Sequence, residues 1–266
     1  MRVRIIFQVK NKGAYVPFHH QYLLAQTIRG ILVKGGNKEY LQVSEYNFSG
    51  LKGQTKISRK GLHFFSSRVT LVFSTSSQPF LNYFVNQLMA THELMIGNLV
   101  ITPEKIEPEP PVLLSDAGRF LCISPLVLLP GVFNDEAGKR FISPEVDEFS
   151  DLLYESTISR MEASARFSAS ELAACYKFQV VPDRDYLNRI ELNQKKFSRI
   201  YPMFDSDIRY EVRGYTFPFT LYAAPLVQQF IFENGLGQLS HKGFGMIDVA
   251  GQNAINADSA RELQYA

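Results

Sequence analysis

A short acidic, proline-rich segment divides this sequence into two parts that share one order of predicted elements. Residues 107–111 read EPEPP and lack apolar periodicity, which is typical of a linker. Before this segment, residues 2–10 alternate apolar and polar side chains, the period of a strand. Helical spacing predicts helices over residues 18–33 and 79–90, and strands are predicted at 46–49, 61–66, 69–74 and 99–106. The first part therefore has the order β-α-β-β-α-β.

The second part repeats this order approximately. Strands are predicted at residues 120–128, 176–181 and 207–221, helices at 145–161 and 169–174, a further helix from Pro225, and a final strand that ends near Val249. Two similar halves favour an α+β duplication over a doubly wound parallel sheet. We therefore predict one domain over residues 1–108, a second over 112–250, and a frayed polar tail over 251–266.

The composition is that of a soluble globular protein. Of the 266 residues, 45% are hydrophobic and 20% are charged, and the length is sufficient for two hydrophobic cores. Cys122 and Cys175 lie far apart in apolar surroundings, so we expect reduced core thiols and a cytoplasmic protein. No Cys/His cluster has metal-ligand spacing, no apolar run is long enough to span a membrane, and the alternating N-terminus differs from a signal peptide.

Basic residues are concentrated in the first part of the chain. From Arg29 to Arg68 there are eight basic residues against two acidic ones, whereas residues 141–159 contain five acidic residues and no basic one. A basic face in the first part favours a polyanionic partner. An ordinary solvated surface explains such a run about equally well, so charge alone does not decide between the two.

A glycine-rich stretch near the C-terminus is the most distinctive local pattern. Residues 234–249 read NGLGQLSHKGFGMIDV, with four glycines within eleven positions and His241 and Lys242 between them. Glycines let backbone N–H groups approach a phosphate closely, and they tolerate positive φ. The spacing differs from a Walker A loop, and the position before the last strand differs from a dinucleotide fingerprint. A tight packing turn between a helix and a strand is the alternative interpretation.

Three segments together resemble a known family. They are the G-x-G-x5-G-F-G pattern at residues 235–245, the run VPFHHQYLLAQTIRGIL at 16–32 after the first strand, and FLCISPLVL at 120–128. They are similar to the CRISPR-associated endoribonucleases of the Cas-six type over about residues 1–250. The resemblance implies an α+β fold of tandem ferredoxin-like (RRM-like) domains with a C-terminal glycine-rich loop.

The resemblance also implies an activity. Such enzymes cut precursor CRISPR RNA within its repeats, by attack of a ribose 2′-OH on the adjacent phosphate. The products carry a 2′,3′-cyclic phosphate and a 5′-OH, and neither a metal nor another cofactor is needed. The implied partner is CRISPR repeat RNA, with no membrane; transfer of the product to an effector complex and a homodimer are both left open.

This chemistry needs a general base, a general acid and cations around the phosphorane. His19 and His20 fall in the first turn of the predicted helix, where N–H groups and the helix dipole favour a phosphate. Histidine also titrates near neutrality. We rank His20 first and His19 second as catalytic candidates. For His20, which shares a helix face with Leu24 and Ile28, the alternative is a half-buried packing residue.

The chain departs from the family pattern at two places. Some members carry a histidine in the stretch that corresponds to residues 40–43, where this chain has Gln42. Others carry a tyrosine where Arg29 stands. Catalysis is therefore predicted to rest on His19 or His20 together with Tyr22, Arg29 or Lys52. A repeat-binding protein that cuts weakly or not at all is the alternative.

Two groups of residues are predicted to bind RNA. The first comprises loop residues Gly235, Gly237, His241, Lys242, Gly243 and Gly245, through backbone N–H groups and the two side chains. The second comprises Lys56, Arg59 and Lys60, which would add electrostatic affinity. For the loop the competing interpretation is tight packing, and for the basic residues it is solubility.

Overall fold

The computed structural model describes residues 1–129, 142–205 and 208–251. Its first part contains β1 Arg2–Val9, β2 Tyr15–Val16, α1 Gln21–Gly35, β3 Tyr46–Phe48, β4 Thr55–Ser58, β5 Gly61–Phe64, β6 Arg68–Thr75, α2 Gln78–Met89, β7 Leu94–Ile96 and β8 Leu99–Pro108. Its second part contains β9 Ala117–Cys122, β10 Leu126–Val127, α3 Asp147–Ala163, α4 Ala169–Ala173, β11 Phe178–Pro182, α5 Arg184–Leu192, β12 Ser198–Asp205, β13 Ile208–Tyr215, β14 Pro218–Ala223, α6 Pro225–Asn234, a 3₁₀ helix Ser240–Lys242 and β15 Ile247–Val249.

The first part forms a five-stranded antiparallel sheet in the order β3-β6-β1-β8-β7. Alternate residues of β1 point into one core, as the period of two predicts. The apolar stripes of α1 and α2 cover that face; the buried residues of the two helices include Leu24, Ile28, Ile31, Phe80, Phe84 and Leu88. Without the edge strand β7, this is the ferredoxin-like strand order.

The second part repeats that arrangement in a four-stranded sheet, β11-β14-β9-β15. Helices α3 and α6 supply Phe149, Leu153, Phe230 and Ile231 to its core. Both halves therefore have the β-α-β-β-α-β order with the same strand arrangement. The predicted α+β fold of tandem ferredoxin-like domains is confirmed.

Two small sheets extend this duplicated frame. One has the order β2-β5-β4 and the other β10-β13-β12, so β4 and β12 are both edge strands. Tyr201, Met203 and Val212 of the second small sheet pack with Phe244 in a separate small core. Neither small sheet was predicted, and no strand was predicted at residues 55–58, which form β4.

Several elements differ from their predictions. The first helix begins at Gln21 instead of residue 18, because residues 17–20 form a turn in which His20 Nδ1 bonds back to the Pro17 carbonyl (3.1 Å). His19 and His20 therefore precede the helix. The strand predicted at 207–221 is two strands in different sheets, with Pro218 opening the second; its first residue lies outside the described part. Helix α5 and strand β12 were not predicted.

The proline-rich segment at residues 107–111 is bonded to the first strand, unlike a flexible linker. Strand β8 continues to Pro108, and the Glu109 N–H donates to the Arg2 carbonyl (2.9 Å). The Glu109 carboxylate also pairs with Arg2 (2.6 Å) and Arg4 (3.0 Å). The domain limits at residues 108 and 112 stay a prediction, and the predicted tail beyond Gly251 lies outside the described residues.

The two halves contact each other directly. The Asn47 side chain donates to the Phe244 carbonyl (2.9 Å), and Arg2 Nη1 donates to the Ile247 carbonyl (2.7 Å). These bonds join β1 and β3 of the first sheet to the glycine-rich stretch and β15. Within the described residues, no helix is long and apolar enough to cross a membrane, and no three His, Cys, Asp or Glu side chains are grouped to hold a metal ion.

Candidate functional site

The four loop glycines are buried and have left-handed backbones, with φ of +84° at Gly235, +79° at Gly237, +85° at Gly243 and +74° at Gly245. A Cβ at each would collide with a neighbour. At Gly235 the neighbour is the Asn47 amide, at Gly243 it is the Phe48 ring, and at Gly245 it is the Leu236 carbonyl. The sequence therefore has glycine here because no other residue fits.

Three backbone N–H groups of the loop are already hydrogen-bonded within the protein. The N–H groups of Gly235, Gly243 and Gly245 donate to the carbonyls of Ile231 (2.7 Å), Ser240 (2.9 Å) and Pro125 (2.7 Å). A phosphate could use these three donors only if those bonds opened. The observation favours the packing alternative for the three glycines, and their contact with RNA stays a prediction.

Arg160 of α3 forms hydrogen bonds with the same loop. Its guanidinium donates to the carbonyls of Asn234 (2.6 Å), Gly235 (2.8 Å) and Gly237 (2.9 Å), and to Ser240 Oγ (3.3 Å). Burial lowers the pKa of Arg160 to about 10, so the side chain still carries its charge at neutral pH. This residue was not predicted, because an arginine in the last turn of a helix gives no local indication of such a contact.

The loop also fixes the start of α1. The Gln21 side chain donates to the Gly243 carbonyl (2.9 Å), which joins the first helical residue to the loop. Tyr201 joins them a second time, because its ring contacts both His19 (5.0 Å between centroids) and Phe244 (5.4 Å). The loop and the turn before α1 are therefore one packed unit.

His20 is enclosed in that unit, with only 7% of its surface exposed. Its Nδ1 is bonded to the Pro17 carbonyl, and within the described residues its buried Nε2 has no hydrogen-bond partner. Gly50 covers Nε2 so closely that a Cβ there would lie 3.3 Å away. Burial lowers the pKa of His20, against the opposing effect of its backbone bonds. This environment is that of a neutral, packed histidine.

His19 lies instead on a groove of about 610 Å³. The lining residues are Phe18, His19, Ile57, Lys196, Ser198, Arg199, Ile200 and Arg213. Burial and then the charge of Arg199 lower the pKa of His19, and its buried Nδ1 has no hydrogen-bond partner in the part of the chain that the structure describes. A histidine beside three cations is suited to chemistry on a phosphate. The three cations were missed, although the run KKFSR at 195–199 was a visible signal for Lys196 and Arg199.

Comparisons with known proteins agree with the duplicated fold and the loop. The family model for "CRISPR associated protein Cas6, C-terminal" matches residues 106–249, more than half of the chain. The chain belongs to the Cas6 family. It is 24% identical over 259 residues to the CRISPR-associated endoribonuclease-like protein Cas6 of Pyrococcus furiosus, covering 94% of this chain and 98% of that protein. It is 22% identical over 257 residues to CRISPR-associated endoribonuclease Cas6 1 of Methanocaldococcus jannaschii, covering 93% and 92%.

Solved structures share the fold of this Cas6-family chain. The structure of a Cas6-related gene product from Pyrococcus furiosus has a TM-score of 0.77 at 20% identity, covering 95% of this chain and 99% of that one. A structure described as "An RAMP protein binding different RNA substrates" has a TM-score of 0.76 at 19% identity, covering 94% and 99%.

The other catalytic candidates of this Cas6-family chain are not among the residues that line the groove. Tyr22 packs on Phe204 (4.9 Å between ring centroids) and accepts a hydrogen bond from Gln26. Arg29 is exposed near Tyr46, whose ring lies 6.5 Å from that of His241. Lys52 is exposed, and its charge interacts with Asp248, Arg2, Arg4 and Glu109. Of the five candidates, only His19 lines the groove.

The predicted RNA-binding side chains form two groups in the Cas6-family structure. Lys56, Arg59 and Lys60 are exposed on the hairpin of β4 and β5, whose Ile57 lines the groove beside His19. His241 and Lys242 are half-buried in the 3₁₀ helix, and Lys242 Nζ donates to the Tyr210 hydroxyl (3.1 Å). Their binding of RNA stays a prediction.

Proposed function

We propose that this Cas6-family protein binds precursor CRISPR RNA and cleaves it within the repeats, without a metal ion. The ribose 2′-OH attacks the adjacent phosphate, leaving a 2′,3′-cyclic phosphate and a 5′-OH. The names of the two relatives support an endoribonuclease, and one structural neighbour is described as binding RNA substrates. The observation that carries the proposal is His19 on a groove lined by three cations.

His19 acts as the general base in this proposal. Its lowered pKa keeps the imidazole neutral at neutral pH, so that a ring nitrogen can take the proton of the 2′-OH. Arg199 and Arg213 then face the negative charge that develops on the phosphorane. Lys196 gives a proton to the leaving 5′ oxygen as the P–O bond breaks, because an ammonium transfers a proton whereas a guanidinium keeps it.

His20 holds the turn in this scheme and does not touch the RNA. Its bond to the Pro17 carbonyl closes the turn that presents His19, and Gly50 shields its other nitrogen. The order of the two histidine candidates is therefore the reverse of the order predicted from the sequence. The loop contributes by holding Gln21, the first residue after the turn.

Repeat binding without cleavage is the second candidate function. Two observations favour it. His20 is buried, so of the two histidine candidates His19 is the one on the groove. Gln42 stands in the stretch where the resemblance places a histidine. Such a protein would use the same groove and the same cations. The difference between the two functions is whether the bound RNA is cut.

Incubation of the protein with repeat RNA in EDTA distinguishes the two functions. Cleavage to a 2′,3′-cyclic phosphate supports the first, and a 2′-deoxy nucleotide at the cut position should abolish it. Binding with no product at high protein concentration supports the second. Loss of cleavage in EDTA that Mg²⁺ restores would contradict the metal-independent mechanism.

Histidine variants then test the assignment of the base. We expect His19→Ala to lower kcat by about 10²–10⁴-fold with little change in RNA affinity. His92→Ala, an exposed histidine after α2, is the matched control and should cut normally. If folded His20→Ala lost activity while His19→Ala kept it, the catalytic and packing roles of the two histidines would be reversed.

A further inference from the structure

The groove beside His19 runs between two open sheet edges. Ile57 projects from edge strand β4 with 78% of its surface exposed, and Ile200 projects from edge strand β12 with 42% exposed. Because both side chains line the groove, an occupant would remove their apolar surface from water. The groove therefore offers apolar contacts as well as charge.

The open side of β12 continues this surface beyond the groove. Ile200 and Phe204 lie on one side of the strand, roughly 13 Å apart, and their cross-strand partners are Arg213 and Arg209. The Arg209 guanidinium lies 5.9 Å from the centre of the Phe204 ring, which is 41% exposed. Each apolar side chain is thus paired with an arginine, and Glu211 between them is the acidic member of the row.

The facing hairpin repeats the combination of ring and cation. Phe65, just after β5, is exposed, and Lys56 Nζ of β4 lies 5.2 Å from its ring centre. Because side chains alternate along a strand, Lys56 and Phe65 lie on the face of the hairpin opposite Ile57. The ring and cation next to the groove are therefore Phe204 and Arg209 of the second small sheet. Unpaired bases stack on rings of this kind, and their phosphates are attracted by the adjacent cations.

We propose that this groove and the adjoining side of β12 bind the repeat RNA as an unpaired strand, with phosphates on Lys196, Arg199 and Arg213 and base faces against Ile57, Ile200 and Phe204. The inference rests on the proposed function and adds the form of the substrate. Paired RNA buries its base faces in the helical stack, so it gains nothing from exposed side chains of this kind. No carboxylate is among the described lining residues, and this charge balance favours a polyanion over a peptide strand.

The test compares two forms of one repeat. A labelled 2′-fluoro repeat, which lacks the attacking hydroxyl, is titrated with protein either unpaired or annealed to its complement. We expect tighter binding of the unpaired form. Phe204→Ala should raise the Kd for that form about 5- to 150-fold, the range for loss of one stacked base. Phe204→Trp should keep wild-type affinity, which separates stacking from folding effects.

The salt dependence of RNA binding distinguishes contacts between bases and aromatic rings from contacts between phosphates and cations. Lys196→Gln should reduce the slope of log K against log salt by about 0.7, one phosphate on a single strand. Phe204→Ala should leave that slope unchanged. Tyr222→Ala is the matched control, because Tyr222 is also an exposed ring but lies on β14, outside the groove.

The outcomes for the two proposals differ. If the wild-type protein bound neither form of the repeat, the proposed function itself would be overturned. If it bound both forms equally, or if Phe204→Ala bound like the wild type, only the inference about an unpaired strand would be overturned. If Tyr222→Ala lost affinity for the unpaired repeat and Phe204→Ala did not, the bases would lie on the sheet that contains β14, and the groove would be rejected as their binding site.

Discussion

Gly245→Ala should be one of the most disruptive small substitutions in this protein. The backbone of Gly245 has φ of +74°, and an added Cβ would lie against the Leu236 carbonyl oxygen and 2.9 Å from its carbonyl carbon. Both obstacles are backbone atoms, which cannot rotate away as a side chain can. Relief requires the two loop strands to separate at the point where they are hydrogen-bonded.

The expected cost follows from two contributions. The left-handed conformation costs a residue with a Cβ about 1–2 kcal/mol. Separation of the strands breaks the bond from Leu236 N–H to the Gly245 carbonyl (2.8 Å) and the bond from Gly245 N–H to Pro125 (2.7 Å). Each is worth about 0.5–1.5 kcal/mol net. The free energy of unfolding should therefore fall by about 2–5 kcal/mol.

Two other glycines provide matched controls. Gly36, at the end of α1, has φ of +76° but no atom within 4 Å of a Cβ, so Gly36→Ala should cost about 1–2 kcal/mol from the backbone alone. Gly30 lies inside α1 with ordinary φ and open space, so Gly30→Ala should stabilise the protein by about 0.5–1 kcal/mol.

The assay is urea unfolding followed by far-UV circular dichroism, because the chain has no tryptophan. RNA affinity of the folded variants is measured in parallel. If Gly245→Ala were no more destabilising than Gly36→Ala, the steric argument would be wrong. If it stayed as stable as the wild type and lost RNA affinity, the loop would be a phosphate-binding element after all.

Three further predictions concern buried polar groups. Arg160→Met should lower the free energy of unfolding by at least about 3 kcal/mol, since the carbonyls of Asn234, Gly235 and Gly237 lose their donor, and Arg160→Lys should recover part of it in urea unfolding. Because burial lowers the pKa of His20 below 6.5 in the folded protein, the unfolded chain binds one more proton, so the free energy of unfolding should fall as pH decreases below 6.5. His20→Gln should show a shallower decrease with pH, and a decrease equal to that of the wild type would contradict this prediction. Burial raises the pKa of Cys122 to about 12 and also raises that of Cys175, so neither thiol should react with a thiol reagent until urea unfolds the protein; rapid reaction of the native protein would refute it.

Local sequence pattern was sufficient to predict most of the duplicated fold. The alternation in residues 2–10 and the apolar spacing in α1 and α2 depend only on neighbouring residues, so the predicted β1, α1 and α2 agree with the structure to within a few residues. The same applies to the core cysteines, Cys122 and Cys175, both of which are buried. The error at the start of α1 came from Pro17, which opens a turn there instead of the helix.

Long-range contacts decided the rest of the candidate site. Arg160 reaches the loop across about 75 positions of sequence, as its bond to the Gly235 carbonyl shows. Likewise, Ile57 and Arg199 line one groove although no local pattern relates them. His20 was ranked above His19, although local pattern contains no information about which of the two the fold encloses. The structure encloses the first and places the second on the groove.

The glycine-rich stretch shows both kinds of information in one segment. The sequence by itself determined that residues 235–245 form a loop between a helix and a strand, because four glycines at that spacing suit few other structures. Only the tertiary structure decided what the glycines are for. At Gly235, Gly237 and Gly243 a Cβ would meet atoms of Asn47, Val127 and Phe48, which come from distant parts of the chain, and at Gly245 it would meet the Leu236 carbonyl across the loop. Steric exclusion by distant atoms depends on folded positions, and sequence spacing contains no record of them.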